Sequence, residues 1–257
     1  MKQSFLDIKD RKIEYATFGN FSKNSPVLIL LHEGLGSVAM WRDIPKLIHE
    51  KTKMNILVYS RFGYGKSSKA ELPRPTNYMS VEAEKYLPII LQKMSITKYF
   101  LIGHSDGGTI AALGSINKSN RELLGTILIA PHFFVENESI RAIEETTDQY
   151  INKKLKNKLE KYHNDVDNAF FGWSNVWLSS NFKEWNVSNY LSDIKIPVLI
   201  IQGTNDPYGT INQVQILEDK LRSKLRKVII ENCGHNPFHE FPEMTIKCID
   251  KFIKKLL

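Results

Sequence analysis

Short apolar runs alternate with amphipathic segments along most of the sequence. Six such runs of four or five residues lie at 27–31, 56–59, 99–102, 127–130, 197–201 and 227–230. Each is nearly all aliphatic or β-branched, which is typical of strands buried on both faces of a parallel sheet. The runs therefore predict the strands of a sheet that is covered on both sides.

The segments between these runs have the apolar period of helices. Predicted helices span residues 40–53, 81–94, 108–116, 214–221 and 244–256. Strands that alternate with helices predict an α/β fold with a mostly parallel, doubly wound sheet and right-handed crossovers. Residues 4–18 alternate differently, as an antiparallel hairpin at a sheet edge would.

Residues 133–190 break this alternation. The segment has no buried-strand run, but it contains many charges and three of the four tryptophans. We interpret it as a helical insertion with an apolar underside, inside a core formed by residues 1–132 and 191–257. The alternative is an ordinary pair of helices packed on the sheet.

Length and composition exclude a wholly disordered chain, a fibrous repeat and a small disulfide scaffold. A chain of 257 residues with 42% apolar and 25% charged residues is ordinary for one large globular domain. The N-terminus has no uninterrupted apolar stretch of the kind a signal peptide needs, and no run approaches the about 20 apolar residues that span a bilayer. Two cysteines, Cys233 and Cys248, suit a reducing compartment. We therefore expect a soluble, cytoplasmic protein without a membrane partner.

The net charge of +7 is diffuse, apart from residues 153–158 and the tail pair Lys254 and Lys255. We interpret both clusters as solvated helix faces and expect no nucleic-acid partner.

No Gly-x-Gly-x-x-Gly follows the first buried-strand run and no phosphate-binding loop motif is present. No Cys/His cluster has metal-ligand spacing, so we expect no metal and no cofactor.

The sequence Gly-His-Ser-Asp-Gly-Gly at 103–108 follows a predicted strand and begins a predicted helix. A Gly-x-Ser-x-Gly motif in this context predicts a nucleophile elbow, a strained turn that raises the serine hydroxyl above the sheet edge. The flanking glycines allow close backbone approach, and the helix start offers free N–H groups to a developing negative charge. Ser105 is therefore the predicted nucleophile.

A serine nucleophile needs a base, and the base needs a carboxylate that orients it. Asp206 and His235 each follow a predicted strand, where open α/β sheets place their sites. Their order after Ser105 is the order expected for this motif. His239 is a competing base, but it comes after Pro-Phe and is expected to begin the last helix.

These three motifs together resemble those of the α/β-hydrolase-fold family, over nearly the full length of the chain. The resemblance implies that the insertion is a helical cap over the active site. It also implies an oxyanion hole in His32-Glu33-Gly34-Leu35-Gly36, where Glu33 replaces the usual glycine. The first N–H donor is then Gly34 or Leu35, and the second is the N–H of Asp106. We expect the Asp106 side chain to contribute little.

The resemblance leaves the substrate open. Five residues are candidates for the pocket wall: Leu35, His132, Trp173, Trp177 and Tyr208. His163 is a further candidate, and Arg61 is expected to brace the core. We expect a serine hydrolase that cleaves a small acyl substrate, a carboxylic ester in the first instance. C–C bond hydrolysis of a vinylogous diketone, thioester hydrolysis and a non-catalytic small-molecule receptor remain alternatives.

Overall fold

One mixed sheet organises the chain. The computed structural model describes residues 2–21, 25–116, 122–221 and 224–257, and within them eight strands lie in the order β1-β2-β4-β3-β5-β6-β7-β8. The strands are β1 (Lys2–Ile8), β2 (Arg11–Phe18), β3 (Val27–Leu31), β4 (Asn55–Tyr59), β5 (Lys98–His104), β6 (Glu122–Ile129), β7 (Val198–Gly203) and β8 (Leu225–Ile230). All neighbours from β4 to β8 pair in parallel, which confirms the predicted fold class.

The antiparallel part of the sheet is the predicted N-terminal hairpin. β1 pairs with β2 from Lys2 opposite Thr17 to Ile8 opposite Arg11. β2 then pairs antiparallel with β4, which joins the hairpin to the parallel strands. β1 is therefore one edge of the sheet, as the alternating pattern of residues 4–18 predicts.

Both faces of the central strands are covered. In β3, Val27, Ile29 and Leu31 belong to one apolar cluster, whereas Leu28 and Leu30 belong to a second cluster on the opposite face. All five are buried. A strand with two buried faces needs an uninterrupted apolar run, which is why these strands could be recognised in the sequence.

The helices pack on the two faces of the sheet. Within the described residues they are α1 (Ile44–Thr52), α2 (Tyr78–Val81), α3 (Leu87–Lys93), α4 (Asp106–Gly114), α5 (Asn137–Ile151), α6 (Lys156–Leu159), α7 (Val166–Trp177), α8 (Asn212–Leu221), α9 (Pro237–Glu240) and α10 (Pro242–Lys254). Helices α1 and α10 cover one face, and α3, α4 and α8 contribute to the cluster on the other.

Two sequence predictions differ from the structure, one because of a proline and one because of a strand's place in the sheet. The single helix predicted at 81–94 is divided into α2, a π-helical turn at Glu82–Tyr86, and α3. Pro88 lies in the first turn of α3 and has no N–H to donate to the preceding turn, which explains the break.

The run at 227–230 predicts a strand buried on both faces. β8 is only partly buried because it is the second edge of the sheet, not an interior strand.

The segment between β6 and β7 is helical and rich in aromatic contacts. It contains α5, α6 and α7, followed by 3-10 turns at Ser180–Phe182 and Ser188–Asp193. Trp177 packs against Phe182, which stacks on Trp185, and a bridge joins Phe134 to Asn186. Most lysines of the basic stretch 153–158 are exposed, as expected for a solvated face. None of the described helices is both long and apolar enough to cross a bilayer.

Helix α10 gives a direct test of how the second face is stabilised. Ile249 is fully buried, whereas Lys251 on the same helix is exposed. Ile249→Ala should lower the free energy of unfolding by about 2–5 kcal/mol, because it removes buried methyl groups and leaves a cavity. Lys251→Ala should change it by less than about 0.5 kcal/mol. Urea denaturation measures both, and equal effects would contradict this packing.

Candidate active site

Ser105 lies at the junction of β5 and α4 with a φ of 55°, which residues other than glycine rarely adopt. The turn is tight. A side chain at Gly103 would clash with the carbonyl of Gly107, and one at Gly107 would clash with the carbonyl of Leu31. Only glycine fits at both positions, so the motif spacing follows from the close approach of strand and helix.

Asp206 and His235 meet across two loops that follow β7 and β8. Nδ1 of His235 lies 2.8 Å and 2.9 Å from the two carboxylate oxygens of Asp206. The carboxylate also accepts hydrogen bonds from the N–H of Tyr208 and the side-chain amide of Gln202, each at 2.8 Å. Burial raises the pKa of Asp206, but the charge and hydrogen bond of His235 outweigh it and bring the pKa to about 2. Asp206 is therefore ionised at neutral pH.

Ser105 and His235 line the same cavity, whose volume is about 110 Å³. Among the described residues, no hydrogen bond joins the Ser105 hydroxyl to the His235 ring. Hydrogen bonds between catalytic groups are often long in enzymes without substrate and shorten in the complex. The Ser105 residue is 7% exposed and the His235 side chain 17%, so both remain accessible from the cavity.

All five residues predicted from the sequence for the pocket lie on the cavity wall. The complete lining is Glu33, Gly34, Leu35, Ser105, Asp106, His132, Ser139, Ile143, Trp173, Trp177, Tyr208 and His235. Sequence reasoning missed Glu33, Ser139 and Ile143 as lining residues. Ser139 and Ile143 are four residues apart on α5 and share one face of that helix, which is the signal that was available.

The loop after β3 brings Gly34 and Leu35, the two candidate oxyanion donors, to the cavity. Arg61 forms hydrogen bonds with two residues of this loop. Its backbone N–H donates to Nε2 of His32 at 3.0 Å, and its guanidinium donates to the carbonyl of Glu33 at 2.8 Å. Arg61 is fully buried, in agreement with the bracing position expected from the sequence.

The Asp106 side chain is embedded in a buried charge network, which the local sequence did not indicate. Its carboxylate lies 3.7 Å from the Arg61 guanidinium and accepts a 2.5 Å hydrogen bond from the hydroxyl of Tyr78. The same hydroxyl accepts a 3.0 Å hydrogen bond from the indole of Trp177. Arg61 and Tyr78 come from other elements, so the spacing around Ser105 could not reveal this role.

The remaining histidines differ in their surroundings. His132 is buried on the cavity wall beside Trp177, and burial together with the charge of His235 lowers its pKa to about 3. His163, the other pocket candidate, instead accepts from the N–H of Gly65 and contacts the carbonyl of Leu35 with its second nitrogen. His239 lies on α9, is exposed, and is not among the cavity residues.

The cysteines give no sign of a reactive or metal-binding role. Cys233 is buried, and burial, followed by the charges of Glu240 and Asp206, raises the pKa of its thiol to about 11. Both cysteines are unpaired. Within the part of the chain that the structure describes, no group of three or more His, Cys, Asp or Glu side chains is placed to hold a metal ion.

Comparisons with known proteins find relatives that match most of the chain. The chain is 25% identical to a proline iminopeptidase of Lactobacillus crispatus, across 92% of this chain and 94% of that protein. It is 28% identical to a pimeloyl-[acyl-carrier protein] methyl ester esterase of Wigglesworthia glossinidia brevipalpis, across 89% of this chain and 93% of the relative.

Solved structures show the same fold. A carboxylesterase of Nitrososphaera gargenis superposes with a TM-score of 0.78 at 15% identity, covering 98% of both chains. The enol-lactonase of Burkholderia xenovorans gives a TM-score of 0.76 at 16% identity, covering 98% of this chain and 100% of the other. The family model described as alpha/beta hydrolase fold matches residues 26–242. The chain therefore belongs to the α/β-hydrolase fold family of enzymes.

Proposed function

We propose that this protein is a serine hydrolase in which Ser105, His235 and Asp206 form a catalytic triad. The observation that carries the proposal is the pair of contacts between His235 and Asp206, in the same cavity as the strained turn of Ser105. Nε2 of His235 takes the hydroxyl proton while Oγ of Ser105 bonds to the substrate carbonyl carbon. His235 then returns the proton to the leaving group, and water releases the acyl group by the same steps in reverse.

The negative charge of the tetrahedral intermediate needs two converging donors. We assign these to the backbone N–H groups of Gly34 and Asp106. Asp106 begins α4, so its N–H belongs to the free, partially positive end of a nine-residue helix. Gly34 lies against the indole of Trp173, where a side chain would clash. Glycine at this position therefore allows the loop to approach the cavity wall. The reaction uses water and the chain's own groups, and needs no metal or cofactor.

The size and lining of the cavity favour a small, mostly apolar acyl group. A volume of about 110 Å³ is below the 150 Å³ of a cavity that accommodates benzene. Ile143, Trp173 and Trp177 supply apolar walls from the segment between β6 and β7. We propose that residues 133–190 act as a cap over the site and that the substrate is a short-chain carboxylic ester.

A second candidate is release of N-terminal proline from peptides. It is favoured by the curated relatives named proline iminopeptidase, which match this chain over about nine-tenths of its length. The same triad chemistry would cleave an amide bond. Because the two candidates share every proposed catalytic residue, substrates alone distinguish them.

A substrate panel tests the proposal. Esters of p-nitrophenol with acetyl, butyryl and octanoyl groups are compared with proline p-nitroanilide, a thioester and a vinylogous diketone. We expect kcat/KM for the acetyl or butyryl ester to exceed that for the octanoyl ester by at least about tenfold, because the cavity excludes the longer chain. Ser105→Ala should abolish turnover while the protein stays folded. Turnover of the proline anilide alone would favour the second candidate.

The two aspartates should respond differently to neutralisation. Asp206→Asn should lower kcat by about 10⁴-fold with little loss of stability, because an amide no longer stabilises the imidazolium. Asp106→Asn should instead lower the free energy of unfolding by about 3–5 kcal/mol, because Arg61 would keep an unpaired buried charge. Kinetics and urea denaturation on both variants measure this. A larger fall in kcat for folded Asp106→Asn would make our assignment of the acid wrong.

The acid side of the pH profile of kcat/KM should show the ionisation of a single group. His235 must be neutral to accept the serine proton, so kcat/KM should fall with unit slope as pH decreases. Asp206 and His132, with pKa values of about 2 and about 3, have already lost their protons above about pH 4 and should not contribute. His239→Gln should leave the profile unchanged. A profile that moves in this variant would transfer the role of base to His239.

A further inference from the structure

The main chain on both sides of His235 is fixed by side chains. The carboxylate of Glu240 accepts hydrogen bonds from the N–H of Gly234 at 2.7 Å and of Asn236 at 3.2 Å. From the opposite direction, Nε2 of His104 lies 2.8 Å from the carbonyl oxygen of His235. Three backbone groups around His235 therefore have side-chain partners from two separate elements, β5 and α9.

His104 in turn faces a carboxylate. Its Nδ1 lies 3.7 Å from Oε2 of Glu33, on the loop after β3, and the His104 side chain is only 3% exposed. Nε2 must carry a proton to donate to the His235 carbonyl, and a proton on Nδ1 is favoured by the facing carboxylate. Burial lowers the pKa of His104, but Glu33 outweighs it and the pKa is raised. The interaction with His104 lowers the pKa of Glu33 to about 2, against the effect of burial.

This support matters because His235 lies on a partly buried loop at the edge of the sheet. It follows β8, the edge strand, and the neighbouring residues Glu231 and Asn232 are exposed. The hydrogen bonds of its ring within the described residues go to Asp206 alone. The position of its second ring nitrogen therefore depends on where the main chain is held.

We propose that Glu240, His104 and Glu33 are positioning residues that hold the main chain of His235 in place for proton transfer. The inference rests on the proposed function, because it assumes that His235 is the base. We call the set of Glu240, His104 and Glu33 the His235 clamp. Glu33 stands where the family pattern has glycine, so the Glu33–His104 pair is a feature of this chain's own sequence.

The test compares four clamp variants with a matched control. His104→Ala and Glu240→Ala remove the partners of the backbone groups, and Glu33→Gln removes the charge that faces His104. His104→Gln keeps an N–H that can reach the same carbonyl. Glu243→Gln changes an exposed carboxylate on α10, three residues from Glu240. Kinetics with p-nitrophenyl acetate and thermal unfolding are measured for each.

We expect His104→Ala and Glu240→Ala to lower kcat by about 10- to 100-fold while KM changes less than about twofold, because misplacing the base by about 1 Å has an effect of this size. Glu33→Gln should lower kcat less than His104→Ala. His104→Gln should recover part of the loss, and Glu243→Gln should match the wild type. A folded His104→Ala or Glu240→Ala with wild-type kcat would overturn the proposal, as would equal losses in His104→Ala and His104→Gln.

Crystal structures of Glu240→Ala and of His104→Gln give a readout that does not depend on turnover. We expect Glu240→Ala to show a displaced loop at 234–236 and a longer contact between Nδ1 of His235 and Asp206, and His104→Gln to keep both near their wild-type positions. An unchanged loop in Glu240→Ala would overturn the clamp. If the wild type hydrolyses no substrate in the panel, the proposed function fails, whereas the clamp is still decided by these two structures.

Discussion

The close approach of α4 to the ends of β3 and β5 is the contact on which the rest of the site depends. Gly103 and Gly107 leave no room for a side chain, and the resulting turn holds Ser105 at positive φ. The backbone strain in such a turn is of order 1–3 kcal/mol and persists only because the surrounding sheet fixes it. The same contact places Ser105 directly before the first turn of α4.

Buried charges connect this turn to the remainder of the molecule. The Arg61 guanidinium donates a hydrogen bond to the backbone carbonyl of Glu33, on the loop after β3, and also lies 3.7 Å from the Asp106 carboxylate. Two walls of the cavity therefore share one cation. Tyr78 links Asp106 to Trp177 in the segment between β6 and β7. A change in any of these groups should affect both stability and cavity shape, because each buried partner would be left without its counter-charge or hydrogen bond.

Much of this architecture could be predicted because its determinants are local. Apolar runs define the central strands, and the strand-serine-helix order defines the turn at Ser105. The loops of Asp206 and His235 follow strands, and parallel strands bring their carboxyl ends to one edge. Contacts between distant elements could not be predicted. The Asp106–Arg61 network and the Glu33–His104 pair depend on how whole elements pack, and no spacing in the sequence encodes that packing. The spacing of Ser139 and Ile143 indicates that they share a face of α5, but not that this face meets the cavity.

The proposed reaction passes through a covalent acyl intermediate on Ser105. Rapid acid quench during turnover of p-nitrophenyl acetate, followed by peptide mass spectrometry, tests it most directly. We expect one acetyl group per chain on the peptide that contains Ser105, formed within the first turnover and lost at the rate of steady-state hydrolysis. Turnover without that adduct, or an adduct on another residue that forms and decays at the catalytic rate, would contradict it.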